Sequence, residues 1–150
     1  MTKVLVIEDN SDVLENVGEI LELSGYQVHK AGDGREGVKQ AVELLPDLIV
    51  CDIMMPNMDG YEVCHFLRKS EEWQDLPIII QTALESSQDR NEAFLVGATD
   101  VVTKPINAVE LTSRVMIHLE NRVLVHELQE YQERLNEEFA SAIKIQEGIF

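Results

Sequence analysis

The sequence predicts an α/β fold: a doubly wound parallel sheet of five strands, in the order 2-1-3-4-5, with an extended C-terminal coiled-coil helix. Two observations carry this. Short, β-branched-rich apolar runs alternate with helix-like segments as far as Pro105, and beyond Pro105 the strands cease. Alternation of this kind builds a parallel sheet covered by helices on both faces.

Taken in order, Val4-Leu5-Val6-Ile7 reads as strand one, a run of the kind a strand buried on both faces shows. Val13, Leu14, Val17, Ile20 and Leu21 recur at one-face helical spacing, and Gly25 can end that helix. Tyr26-Gln27-Val28 is a weaker second strand. Asp33 with Glu36 opens a second helix, which Pro46 stops. Leu48-Ile49-Val50-Cys51 is strand three, and Asp59 with Glu62 opens the helix after it. Ile78-Ile79-Ile80 is strand four, its helix stopping near Gly97, and Val101-Val102 is a short fifth strand.

Asn107 with Glu110 opens the last helix, which meets no Gly or Pro before Gly148. With Asn121, Leu128, Leu135, Ala142 and Ile149 at heptad position a, position d holds Ile117, Leu124, Tyr131, Glu138 and Ile145. Eight of the ten are apolar, which favours a coiled coil over a single amphipathic surface helix. A lone buried Asn121 can fix register in a parallel pair, and Glu138 loosens the seam locally. The organisation expected is a domain over residues 1–120 and a coiled-coil linker over 121–150, with a homodimer through residues 117–149.

Composition narrows the function. There are 28 Asp and Glu against 12 Lys and Arg, a formal net charge of −16, and 45% hydrophobic residues. The core is large enough to exclude wholesale disorder. The acidic excess argues against direct nucleic-acid binding, because phosphate contacts need clustered Lys and Arg. No apolar run is long enough to span a membrane. Met1 leads at once into strand one, leaving no room for a signal peptide. Cys51 and Cys64 lack metal-knuckle spacing and read as reduced core thiols, so a cytoplasmic location is expected.

In a doubly wound sheet, ligands gather at the carboxyl ends of the strands where the winding reverses, here between strands one and three. Glu8 and Asp9 follow strand one, and Asp52 follows strand three. Three converging carboxylates repel unless a cation neutralises them, and all-oxygen ligation suits Mg²⁺. Thr82 and Lys104 fall at the ends of strands four and five. A lysine there balances an incoming phosphoryl group, while the Thr82 hydroxyl and the Ala83 backbone N–H can donate to its oxygens. Lys104-Pro105 is a candidate cis bond that would aim Lys104 at the crevice.

The segments Val6-Ile7-Glu8-Asp9-Asn10, Asp52-Ile53-Met54-Met55-Pro56-Asn57-Met58-Asp59-Gly60, Thr82-Ala83 and Lys104-Pro105 resemble, in order and spacing, a bacterial two-component response-regulator receiver domain. The resemblance is to the chemotaxis-regulator-like type, with a flavodoxin-like fold, and covers residues 1 to about 120. It implies that Asp52 accepts a phosphoryl group and that Glu8, Asp9, Asp52 and the Met54 backbone carbonyl hold Mg²⁺. It also implies that Thr82 and Lys104 contact the phosphoryl group. The implied donor is a phosphohistidine on a sensor histidine kinase or phosphotransfer protein. The domain would then take part in its own phosphotransfer without being an enzyme.

One departure accompanies the resemblance. The family usually carries Tyr or Phe three residues before the lysine, and here that residue is Val101, which has no ring to swing. The residues two after the acceptor and two after the switch threonine, Met54 and Leu84, are both apolar and cannot orient a water, which predicts a long-lived phosphoryl group. In the tail, Ala142-Ile143-Lys144-Ile145-Gln146-Glu147-Gly148-Ile149-Phe150 is similar to the linker preceding PP2C-type serine/threonine phosphatase domains, which implies such an output domain after the tail.

Rival chemistries fit less well. A phosphohydrolase with an aspartyl nucleophile places a second Asp two residues on, where this chain has Met54. A flavin or nucleotide binder wants a Gly-, Ser- or Thr-rich loop after strand one, where Glu8-Asp9-Asn10 would repel a phosphate lacking a metal.

Overall fold

The structure is a computed structural model that describes residues 1–83, 87–146 and 148. Leu84, and Glu147, Ile149 and Phe150 of the tail motif, lie outside the described residues. The elements run β1 (Lys3–Ile7), α1 (Ser11–Leu23), β2 (Gln27–Ala31), α2 (Gly34–Leu44), β3 (Leu48–Asp52), α3 (Gly60–Arg68), a 3-10 turn (Glu71–Trp73), β4 (Ile78–Thr82), α4 (Ser87–Leu95), β5 (Asp100–Thr103) and α5 (Ala108–Gln146). The five strands pair in parallel in the order β2-β1-β3-β4-β5, the order expected from the sequence. Compactness divides the chain into two units, Met1–Leu119 and Glu120–Phe150.

In the first unit the period-two alternation of each strand sends side chains to two separate cores. Val4, Val6, Leu48, Val50, Ile79 and Val102 pack with Val17 and Leu21 of α1 and with Leu111 and Val115 of α5. Leu5, Ile7, Ile49, Cys51, Ile78, Ile80 and Val101 face the other way, onto α2, α3 and α4. Both cysteines are free and buried there; burial pushes their thiols up, Cys64 to about 11.

The helix starts follow their polar caps. Asp33, Asp59 and Asn107 each accept from the backbone N–H three residues on, at 2.8, 2.9 and 3.0 Å. Asn10 caps α1 in the same way, accepting from the Asp12 and Val13 N–H groups. Several strand ends differ from expectation. β2 extends to Ala31, and β3 and β4 include Asp52 and Thr82 as their last residues. Helix α2 ends on Leu45 in the left-handed region (φ 50), because the residue before Pro46 is turned away from helical geometry.

In the second unit α5 continues to Gln146 with none of its described side chains buried. Leu124, Leu128, Tyr131 and Leu135, on the heptad seam, are all exposed. No helix is long and apolar enough to cross a membrane among the described residues.

Candidate functional site

The site forms where β1 and β3 lie side by side at the carboxyl edge of the sheet. Ile7 pairs with Cys51, so the next residues, Glu8 and Asp52, stand level on adjacent strands. Both carboxylates are withdrawn from solvent, Glu8 to 1% and Asp52 to 5% exposure, while Asp9 is exposed. Ligand oxygens of Glu8, Asp9 and Asp52 all lie within 4.8 Å of one another. That spacing and an all-oxygen donor set fit a small, hard divalent cation.

Lys104 closes the site from β5. Its Nζ lies 3.2 Å from Glu8 Oε2 and 3.2 Å from Asp52 Oδ1. Burial and the Asp52 charge push the Glu8 carboxyl above its ordinary range, against the pull of Lys104 and of the Asn10 N–H on Glu8 Oε1. Burial would pull Lys104 down, but Asp52 and Glu8 outweigh it and hold the ammonium above its usual value. The cluster thus favours the charged form of Lys104 and disfavours that of Glu8. The Lys104-Pro105 bond is cis, and the Lys104 N–H donates to the Thr82 carbonyl at 2.8 Å, joining the ends of β4 and β5.

Local backbone geometry holds Asp52 in place. Its Oδ1 accepts from the Ile53 N–H at 3.0 Å. The β3–α3 connection turns through Asn57 in the left-handed region (φ 70) and closes with Gly60 N–H on the Ile53 carbonyl at 2.8 Å. A Cβ on Gly60 would sit 2.3 Å from the Asp52 carbonyl oxygen, so only glycine lets α3 start this close to the end of β3. Gly34 has the same constraint at the start of α2, where a Cβ would meet the Met58 carbonyl.

Of the residues singled out in the sequence, Glu8, Asp9, Asp52 and Lys104 come together within one cluster. Thr82 is buried at the end of β4, and Ala83 beside it is exposed. Met54, 70% exposed, lines a cavity of about 510 Å³ with Asp9, Ile53, Met55, Pro56 and Asp59. Val101 is buried on the α2–α4 face of the sheet, without a ring in that position. Sequence reasoning missed the pairing of Lys104 with Glu8. It also missed the steric demand at Gly60 and the burial of Gln81 beside Asp52, for which strand alternation was the available signal.

Residues 4–116 match the response regulator receiver domain family. The DNA-binding dual master transcriptional regulator RpaA of Synechocystis sp. is 38% identical over 137 residues, covering 91% of this chain and 57% of that protein. The transcriptional regulatory protein YrkP of Bacillus subtilis is 35% identical, covering 98% of this chain and 65% of its own. The chain therefore spans less than two thirds of the length of either regulator. Among solved structures, the chemotaxis protein CheY4 of Vibrio cholerae superposes with a TM-score of 0.74 at 33% identity, over 77% of this chain and 97% of that one. The receiver domain of a signal transduction histidine kinase from Syntrophus aciditrophicus does so at 0.75 and 36%, over 81% and 92%.

Proposed function

The chain belongs to the response-regulator receiver domain family, and we propose that residues 1–120 are a phosphorylation-activated receiver in which Asp52 is the acceptor. The observation that carries the proposal is the meeting of three carboxylates within 4.8 Å, two of them buried against the Lys104 ammonium. Repulsion among them favours a cation, and the family normally binds Mg²⁺ in such an acidic pocket. Glu8, Asp9, Asp52 and the Met54 backbone carbonyl would hold the ion, which supplies charge neutralisation for the phosphoryl oxygens.

An Asp52 carboxylate oxygen attacks the phosphorus of a phosphohistidine on a sensor kinase or phosphotransfer protein. The O–P bond forms as the N–P bond breaks, and the imidazole leaves. Lys104 leans from Glu8 toward the incoming group and balances its charge. The Thr82 hydroxyl and the Ala83 N–H donate to the remaining oxygens. With Val101 in the strand, the response to Thr82 passes without an aromatic arm.

The tail extends this reading. Residues 121–150 act as a coiled-coil linker, and a homodimer through residues 117–149 covers the seam of Leu124, Leu128, Tyr131 and Leu135, exposed in the single chain. The Ala142–Phe150 motif favours a PP2C-type phosphatase output. A second reading, a DNA-binding output, is favoured by the transcriptional regulators the chain resembles. We place the protein in the cytoplasm, where its phosphodonor and reduced thiols are compatible.

The test is phosphotransfer from a labelled sensor kinase or a small acyl-phosphate donor with Mg²⁺. Wild type and Asp59→Asn take up label, and Asp52→Asn takes up none. Labelling of Asp52→Asn at the wild-type rate overturns the assignment.

A further inference from the structure

Gln81, next to the acceptor, has no part in the reaction as described. It lies in β4 with no solvent exposure, and neither its Nε2 nor its Oε1 has a hydrogen-bond partner among the described residues. A buried amide with both ends unpaired is uncommon, since an apolar side chain of the same size would fill the space without the desolvation cost.

Its position relates it to the site. Asp52 pairs in register with Gln81, and Gln81 with Val102, so the three form one row across β3, β4 and β5. Val50, Ile79 and Val102 face α1 and α5, and by strand alternation Asp52 and Gln81 lie on that same face. Lys104, two residues past Val102, reaches from β5 back to Asp52 Oδ1 on β3 at 3.2 Å. Thr103 pairs with Thr82, so Lys104 stands level with Ala83, and its ion pair runs diagonally past the end of β4 to the row that Asp52 shares with Gln81.

The ammonium has three N–H donors, now shared between Glu8 and Asp52. When Glu8 turns to a cation, the donor aimed at it loses its acceptor. Gln81 Oε1 is a buried acceptor without a hydrogen-bond partner among the described residues. We propose that Gln81 is a positioning residue for Lys104. Its Oε1 accepts from the ammonium once Glu8 has turned away, keeping Lys104 on the phosphoryl oxygens, while its Nε2 donates to an Asp52 oxygen. The inference rests on Asp52 being the acceptor.

The experiment compares wild type with Gln81→Met, which keeps length and volume but removes both hydrogen-bonding ends. Titration with beryllofluoride in excess Mg²⁺ should show affinity weakened about tenfold in Gln81→Met. Its melting temperature without ligand should be at or above that of wild type, because an unpaired buried amide is gone. In wild type, the Gln81 side-chain amide pair should shift in the ¹H–¹⁵N spectrum on beryllofluoride binding, a readout needing no substitution. Wild-type affinity in Gln81→Met with an unmoved Gln81 amide signal would overturn the inference and leave Gln81 as core filler. A wild-type protein that binds no beryllofluoride would overturn the reading of Asp52 itself, and this inference with it.

Discussion

Helix α1 and the part of α5 beyond residue 119 carry apolar stripes of the same kind, and only one of them is covered. In α1, Val17 and Leu21 are fully buried against Val4, Val6 and Val50 of the sheet. In α5, Leu111 and Val115 are buried in the same core, whereas Leu124, Leu128, Tyr131 and Leu135 keep 45–66% exposure. The stripes differ in period as well. The α1 pattern is a broad helical face, and the distal pattern is a heptad seam of the sort that meets a second helix. An apolar stripe specifies that a face is to be covered; its period indicates by what.

The largest expected effect is on assembly. Burying four such side chains per helix is worth roughly 1.5–3 kcal/mol each before ordering costs. Sedimentation equilibrium should find the full chain dimeric at micromolar concentration and a chain ending near Asn121 mostly monomeric; a monomeric full chain contradicts the seam. Glu138→Leu should tighten the dimer by filling a d position with an apolar side chain.

Next comes the contrast between the stripes. Leu21→Ala should cost the first unit about 2–5 kcal/mol in urea unfolding, through lost transfer energy and a cavity. Leu128→Ala should leave that transition unchanged and weaken only self-association. Equal destabilisation by both substitutions would erase the distinction between covered and uncovered stripes.

A smaller effect tests what pins the covered part of α5 to the sheet. Arg114 Nη1 donates to both Asp100 carboxylate oxygens, at 2.9 and 2.7 Å, and His118 Nε2 lies 2.9 Å from Oδ2. Burial would raise the Asp100 carboxyl, but His118, Arg114 and the Val101 N–H together hold it below its ordinary value of 3.8. A carboxyl depressed on folding stabilises the fold above its unfolded pKa, and that stability is lost as pH falls through the folded value. Asp100→Asn should therefore cost about 1–2 kcal/mol at pH 7. The gap to wild type should close as pH drops below about 4. A gap that stays constant into that range would mean the carboxylate charge is not what pins α5. The smallest effect is at a cap: Asp33→Ala should cost about 1 kcal/mol by freeing the Glu36 N–H.

Much of the first unit was legible because its signals are local. β1, β3 and β4 are buried on both faces and read as continuous β-branched runs, and Asp33, Asp59 and Asn107 announce helix starts by their own side chains. β2 was under-read because it is only half buried and carries His29 and Lys30 in its middle. The acidic cluster was legible because strand ends and winding order together locate it. The Lys104–Glu8 pair, the fit of Gly60 against Asp52 and the burial of Gln81 were not, because each depends on which residue of another strand or loop stands opposite. Such facts belong to register and close approach, which a single segment does not carry.

The most direct test of the central claim is chemical trapping of the acyl phosphate. After incubation with a small acyl-phosphate donor and Mg²⁺, labelled borohydride should reduce the modified residue to homoserine, and peptide mapping should find the label at position 52 alone. Label at Asp9 or Asp59, or equal label in Asp52→Asn, would contradict the account.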